Sequence, residues 1–167
     1  MNEKLRETLD EWLAVELSAI HTALPGRVVS YSGHRERRAT VVPCVRPHLP
    51  CGEVVEIQPI FDVPVIMPCT AEAGVLLPIK AGSGVLLLFT EAGMGHYLAG
   101  RAVQTVDADD PTRFSLHDCV AIPGLYPFGA VPKTPIADDE MALVYGNSSV
   151  VLKKDRTIIN GNLEVLA

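Results

Sequence analysis

Residues 75–89, VLLPIKAGSGVLLLF, constrain the chain more than any other stretch. Two apolar runs, 75–79 and 85–89, flank the polar gap Lys80-Ala81-Gly82-Ser83-Gly84. Each run has the length of a strand, and glycine and proline punctuate them, so the pattern predicts two strands joined by a turn. The hydrophobicity is continuous rather than alternating. That predicts strands covered on both faces, as in the middle of a small closed barrel, around which the remainder must pack.

The remaining strands are expected to be short. Thirteen prolines and thirteen glycines in 167 residues favour many brief elements and tight turns over a helical bundle. A single helix is predicted over residues 3–23. There Leu5, Leu9, Trp12, Leu13, Leu17 and Ile20 recur mostly at three- and four-residue steps, and Glu3, Arg6, Glu7, Asp10, Glu11 and Glu16 fill the other face. Pro25-Gly26 stops it. Its stripe is expected to cap an open barrel end or to pack on a neighbouring chain. Its acidic polar face is the wrong charge for a membrane-surface helix.

Strands are predicted over 26–32, 38–45, 53–60, 63–67, 75–79, 85–89, 97–106 and 119–122. Turns or loops are expected at 32–36, 46–51, Phe61-Asp62, 91–96 and 107–113. Residues 126–140, YPFGAVPKTPIADDE, read as a linker. From Met141 the breaks Gly146-Asn147, Lys154-Asp155 and Asn160-Gly161-Asn162 fall at even spacing, which indicates a short turn–strand repeat. Such a segment is too small to form a core alone, and other chains are expected to complete it as a β-prism or β-helix. The expected organisation is a helix (1–24), a small five- or six-stranded barrel of OB type (25–127), a linker (128–140) and a β-rich tail (141–167). In that tail Val150, Leu152, Ile158, Leu163 and Val165 are the expected interior.

Charge and targeting narrow the function. A net charge of −6 disfavours nucleic acid and anionic membrane as partners. The opening Met1-Asn2-Glu3-Lys4 runs into an acidic amphipathic segment and does not read as a signal peptide. No run approaches the roughly 18 to 20 apolar residues that span a bilayer. Synthesis in the cytoplasm is expected, with Cys44, Cys51, Cys69 and Cys119 as thiols.

LPGRVVSY (24–31) followed by RATVVPCV (38–45) resembles the start of the OB-fold domain of phage tail central spike proteins, the baseplate assembly protein V type. DVPVIMP (62–68), LLPIKAGSGVLLLFTE (76–91) and SLHDCVAIPGLYP (115–127) extend the resemblance in the same order, over about residues 20–130. It implies a homotrimer in the tail baseplate of a virion, in contact with other baseplate and tail-tube proteins. It also implies that an intertwined triple-stranded β-helix projects from the barrel to pierce the host outer membrane, and that residues 141–167 are its first turns. Spikes of that family often end in a His-x-His apex that binds iron. No His-x-His occurs here and the last histidine is His117, so the apex metal is not carried over. The implied role is structural, with no enzymatic activity, catalytic residue, metal or cofactor.

Several clusters invite a functional reading and also have a plainer structural one. Cys44, His48 and Cys51, with Cys69 or His34, could form a zinc site, but their spacing fits no standard pattern and Pro47 and Pro50 restrict convergence. Unpaired cysteines more often act as small hydrophobes. Ser115, His117, Asp118 and Cys119 could suggest a nucleophile with its base. Neighbours on a strand point to opposite faces, so Asp118 is expected in a turn hydrogen bond and His117 as a structural donor. Gly82-Ser83-Gly84 lacks the Gly-Lys-Ser/Thr ending of a phosphate loop and reads as a hairpin turn. Gly93-Met94-Gly95 with His96 reads as a loop. Asp107, Asp109 and Asp110 lack the glycine and distal glutamate of a calcium loop. The alternative function, an OB-fold module for single-stranded nucleic acid, needs exposed aromatics beside a basic groove. Only 5% of residues are aromatic, and Tyr31, Phe61, Phe89 and Tyr97 have no basic run beside them. A tail-linked hydrolase is a third reading, without a motif to carry it.

Overall fold

A computed structural model of the chain describes residues 3–18, 20–46, 57–108, 111, 113–131 and 136–162. It divides into two compact units, Met1–Tyr126 and Pro127–Ala167. The first unit holds α1 (Glu3–Ser18), β1 (Ala23–Tyr31), β2 (Arg38–Pro43), β3 (Ile60–Pro64), β4 (Gly84–Phe89), α2 (Gly95–Ala99) and β5 (Cys119–Pro123). The second holds β6 (Met141–Tyr145), β7 (Ser148–Leu152) and β8 (Thr157–Asn160).

The first unit is built on one antiparallel sheet in the order β3-β2-β1-β4-β5. Its strands alternate inward and outward side chains, as the pleat requires. In β4, Val85, Leu87 and Phe89 are buried while Leu86 and Leu88 are half-buried on the other face. Val28, Val41, Val85 and Leu87 reach zero exposure and, with Ile60, Val63 and Ala121, fill the concave side. Each such Val, Leu or Ile side chain contributes about 1.5–3 kcal/mol on removal from water. The sheet curls into a half-barrel, and its outer strands touch at one parallel bridge, Val65 to Ala121. There the Val65 N–H donates to the Arg37 carbonyl (2.7 Å) and the Ile66 N–H to the Ala121 carbonyl (2.9 Å). The chain is thus mainly β, with a curled antiparallel sheet preceded by a helix.

The opening stretch is half what its sequence predicts. Residues 85–89 lie in the second strand from the edge, flanked by β1 and β5. Residues 75–79 form no strand, and Val75, Leu76 and Leu77 are 44–46% exposed. Both edges of β4 are already taken, so the run has no ladder to join, and Pro78 removes one donor from it. Ile79 alone packs on the core. The turn between them forms as expected: Gly82 takes φ +90, and the Ser83 N–H donates to the Lys80 carbonyl (3.0 Å).

Other expectations are corrected in the same way. The helix stops at Ser18 rather than residue 23, because Ala23 already pairs with Leu88. It does not cap the barrel: Leu5, Leu9, Trp12, Leu13, Leu17 and Ile20 stay 45–61% exposed. Phe61-Asp62, expected as a break, lies inside β3, where Asp62 takes φ +55 and the register against β2 shifts between Ala39 and Val41. Residues 53–56 of the preceding predicted strand lie outside the described residues, and 57–59 are not strand. Residues 97–106, expected as strand, give the end of α2 and then irregular chain. The Leu98 N–H closes a helical turn on the Met94 carbonyl (2.9 Å).

The second unit is an antiparallel meander, β6-β7-β8. Its register puts Met141 opposite Leu152, and Leu143 opposite Val150, which in turn faces Ile159. Val151 pairs with Ala142 and Ile158 on the other face. The expected interior set therefore does not share one face: Val150 and Leu152 lie on one side and Ile158 on the other. Among the described residues of this unit Val151 is the buried one, and Leu152 is 45% exposed. Leu163 and Val165 lie outside the described residues. Lys153 pairs with Glu140 at 2.5 Å and holds its carboxyl below the usual range.

Candidate functional site

A cleft of about 400 Å³ opens on the first unit. It is assembled from four distant segments. Glu36 and Arg38 come from the β1–β2 turn and the start of β2. Phe61, Asp62 and Pro64 come from β3. Met94, Gly95, Leu98 and Ala99 form its α2 wall, and His117, Asp118 and Cys119 close it ahead of β5. A smaller hollow of about 230 Å³ shares Glu36, Arg38 and Asp62 with it and extends toward Tyr31.

Backbone constraints build this place. Gly33 at φ +96 lets the β1–β2 turn close, with the Arg37 N–H donating to the Gly33 carbonyl (2.9 Å). Arg37 itself sits at φ +54, a conformation that costs a non-glycine residue about 1–2 kcal/mol. Its surroundings hold it there. Its carbonyl takes the Val65 N–H, its Nε donates to the His34 carbonyl (3.2 Å), and its Nη1 donates to Cys69 Sγ (3.0 Å). Arg37 therefore ties the turn to the chain after β3. Asp62, also at positive φ, turns its carboxylate toward Arg38 (3.8 Å), an exposed pair of little net strength.

The chemistry of the cleft is acidic and poorly nucleophilic. Glu36, Asp62 and Asp118 outnumber Arg38. The Asp118 carboxylate accepts the Met94 N–H (3.4 Å), and its carbonyl accepts the Thr90 N–H (2.9 Å). The loop reading of Gly93-Met94-Gly95 thus gains a role, since it brings α2 onto Asp118. His117 donates its backbone N–H to Ser115 Oγ (3.3 Å). Cys119 is 2% exposed, and burial, with the Asp118 charge second, pushes its thiol up to about 11. A thiol held protonated at neutral pH is not an activated nucleophile. Phe61, 70% exposed, is the aromatic on the cleft wall.

The other candidates are scattered. Cys44 is exposed and its thiol donates to the Val42 carbonyl (3.8 Å); Cys69 is exposed beside Arg37; His34 stands 3.5 Å from the Tyr31 hydroxyl. His48 and Cys51 lie outside the described residues, as do Asp109 and Asp110. Among the described residues no group of three or more His, Cys, Asp or Glu could hold a metal ion. Asp107 offers its carbonyl to His96 Nδ1 (3.2 Å). Of the aromatics, Phe89 is in the core and packs against the His21 ring (5.5 Å), and Tyr97 is on α2. Among the described residues no helix is long and apolar enough to cross a membrane. Sequence reading missed Arg37, Glu36, Arg38 and Asp62 because an arginine-rich turn carries no motif.

No curated protein matches the chain. A family model does match, over residues 24–124, which is more than half the chain and runs from β1 to just past β5. The curled sheet and its cleft are therefore the matched part, and the chain belongs to the family of the phage protein Gp138 N-terminal domain.

Proposed function

We propose that the chain is a structural component of a contractile phage-type tail: a homotrimeric central spike or baseplate hub protein that pierces the host outer membrane. The observation that carries this reading is membership of a phage protein family across the whole curled sheet. The strand arrangement supports it. The ring order β1-β2-β3-β5-β4-β1, with β3 and β5 touching in parallel, agrees with the five-stranded, partly open barrel of the OB architecture.

The second unit supports the trimer. Met141, Leu143 and Tyr145 are 66–71% exposed on one face, which Leu152 and Ile159 continue, each nearly half exposed. Among the described residues β6 and β8 each pair only with β7, which leaves one edge of each without a ladder there. Three copies can pair those edges and turn the apolar faces inward, as the start of a triple-stranded β-helix. Such a narrow, fully laddered structure is stiff and transmits force from tail contraction without chemistry. The acidic cleft gives no support to the nucleic-acid alternative, because carboxylates repel phosphates.

The test is location. Gold-labelled antibody against the chain is expected at the distal end of the tail in electron micrographs of particles that carry it. Label on the capsid, or particles without the protein, would overturn the reading.

A further inference from the structure

Two apolar surfaces of the first unit lie open. One is the α1 stripe, where Leu5, Leu9, Trp12, Leu13 and Leu17 are 49–61% exposed. The other is the convex face of the sheet. The pleat that turns Leu87 inward turns Leu86 and Leu88 outward, and the ladders set Ile122 and Val120 beside them on β5, Pro25 and Ala23 on β1. All but the small Ala23 are half-buried, and among the described residues no helix is laid across them.

Charge favours a match between the two surfaces over self-matching of either. The helix carries Glu3, Glu7, Asp10, Glu11 and Glu16 against Lys4 and Arg6, so two such helices side by side repel. On the convex face, the charged outward position of β1, β4 and β5 is Arg27, since Arg38 of β2 is already paired with Asp62 of β3 (3.8 Å). The root of α1 is pinned beside this face: the His21 N–H donates to the Phe114 carbonyl (3.2 Å) and the Phe89 N–H to the Thr22 carbonyl (3.0 Å). With its root held and its stripe off its own sheet, the helix is presented outward.

We infer that α1 of one copy lies across the convex β1-β4-β5 face of the next. The inference rests on the self-association in the proposed function and adds to the second unit's edges a contact between first units without which the assembly dissociates at micromolar concentration. The contact is head-to-tail, so it closes a ring if the rotation per copy suits. A helix of 16 residues is about 24 Å long, enough to cross the four strands β2-β1-β4-β5, about 14 Å wide at about 4.8 Å spacing. In a ring each copy uses both surfaces.

The experiment uses the full chain in light scattering and mixing. Leu9→Glu with Trp12→Glu places charges on exposed positions and is expected to give a folded monomer. Leu88→Glu is expected to give one too, from the other surface. Mixed in equal amounts, the two variants are expected to form a heterodimer, because the intact helix of one meets the intact face of the other. If Leu88→Glu does not fold, Arg27→Glu replaces it, with association expected to weaken about tenfold. A helix variant that stays trimeric overturns this inference and leaves the trimer standing. So does failure of the two variants to combine. A wild-type monomer overturns both.

Discussion

Leu87→Ala is expected to lower the unfolding free energy by about 2–5 kcal/mol, the range for truncating a well-packed core leucine. Leu87 is fully buried in β4, opposite Ala121 on one side and Leu24 on the other. Its neighbours cannot collapse into the space, because both flanking strands are held by their own ladders. The Gly26 position shows how tight the packing is: a Cβ added there would stand 2.7 Å from Val41 Cγ1 and 3.2 Å from the Leu87 side chain. Urea unfolding monitored by circular dichroism measures the loss, expected as a shift in midpoint of about 1–2 M at the usual slope for small proteins. Leu86→Ala, on the half-buried convex face of the same strand, should cost clearly less in a monomeric background. Equal costs would mean that the concave side is not the core.

Gly84→Ala is the second large effect, and it acts through space rather than conformation. A Cβ at Gly84 would run into the Leu125 carbonyl oxygen and lie 3.2 Å from Tyr126 Cδ1. The obstacle is mostly backbone, so no rotamer change relieves it. Either the exit of the chain after β5 shifts, and with it the Gly124 N–H bond to the Gly84 carbonyl (3.0 Å), or β4 does. A cost of about 1–3 kcal/mol or more is expected, as for overpacking elsewhere. Gly82→Ala in the same turn is the contrasting case. There a Cβ meets nothing within 4 Å, but φ is +90, so the cost is conformational and Asn should restore part of it. At Gly84, Asn should be worse than Ala. Thermal melts of the four variants measure both claims.

These glycines show what a sequence reading can and cannot reach. The turn Lys80-Ala81-Gly82-Ser83-Gly84 was legible because glycine pairs between apolar runs mark turns. That Gly84 is required by a crossing chain forty residues later was not. Likewise 85–89 and 75–79 look alike as strings. Their fates differ because β1 and β5 occupy both edges of β4, a fact of topology. Strand positions in β1, β2 and β5 were readable from short apolar runs bounded by turn residues. β3 was misplaced because Phe61-Asp62, a break by composition, is absorbed as a bulge with Asp62 at positive φ. HYLAG reads as strand by composition, but a local Met94–Leu98 bond makes it a helical turn.

The candidate cleft was less legible still. His117, Asp118 and Cys119 stood out by residue type, and the structure places all three on its wall. Glu36, Arg38, Asp62 and Met94 join them from segments up to 83 positions apart, between Glu36 and Cys119. Nothing local announces that meeting, which follows from the curl of the sheet. In the tail, the alternation was legible but its phase was not. The turn at residues 153–156 sets Ile158 with Val151, and Ile159 with Val150. A one-residue difference in that turn would exchange the two faces.

A homotrimer is the assembly proposed for this chain. Native mass spectrometry of the full chain at micromolar concentration tests it most directly. A dominant species at three times the 18.0 kDa of one chain is expected. A dominant species at 18.0 kDa would contradict it.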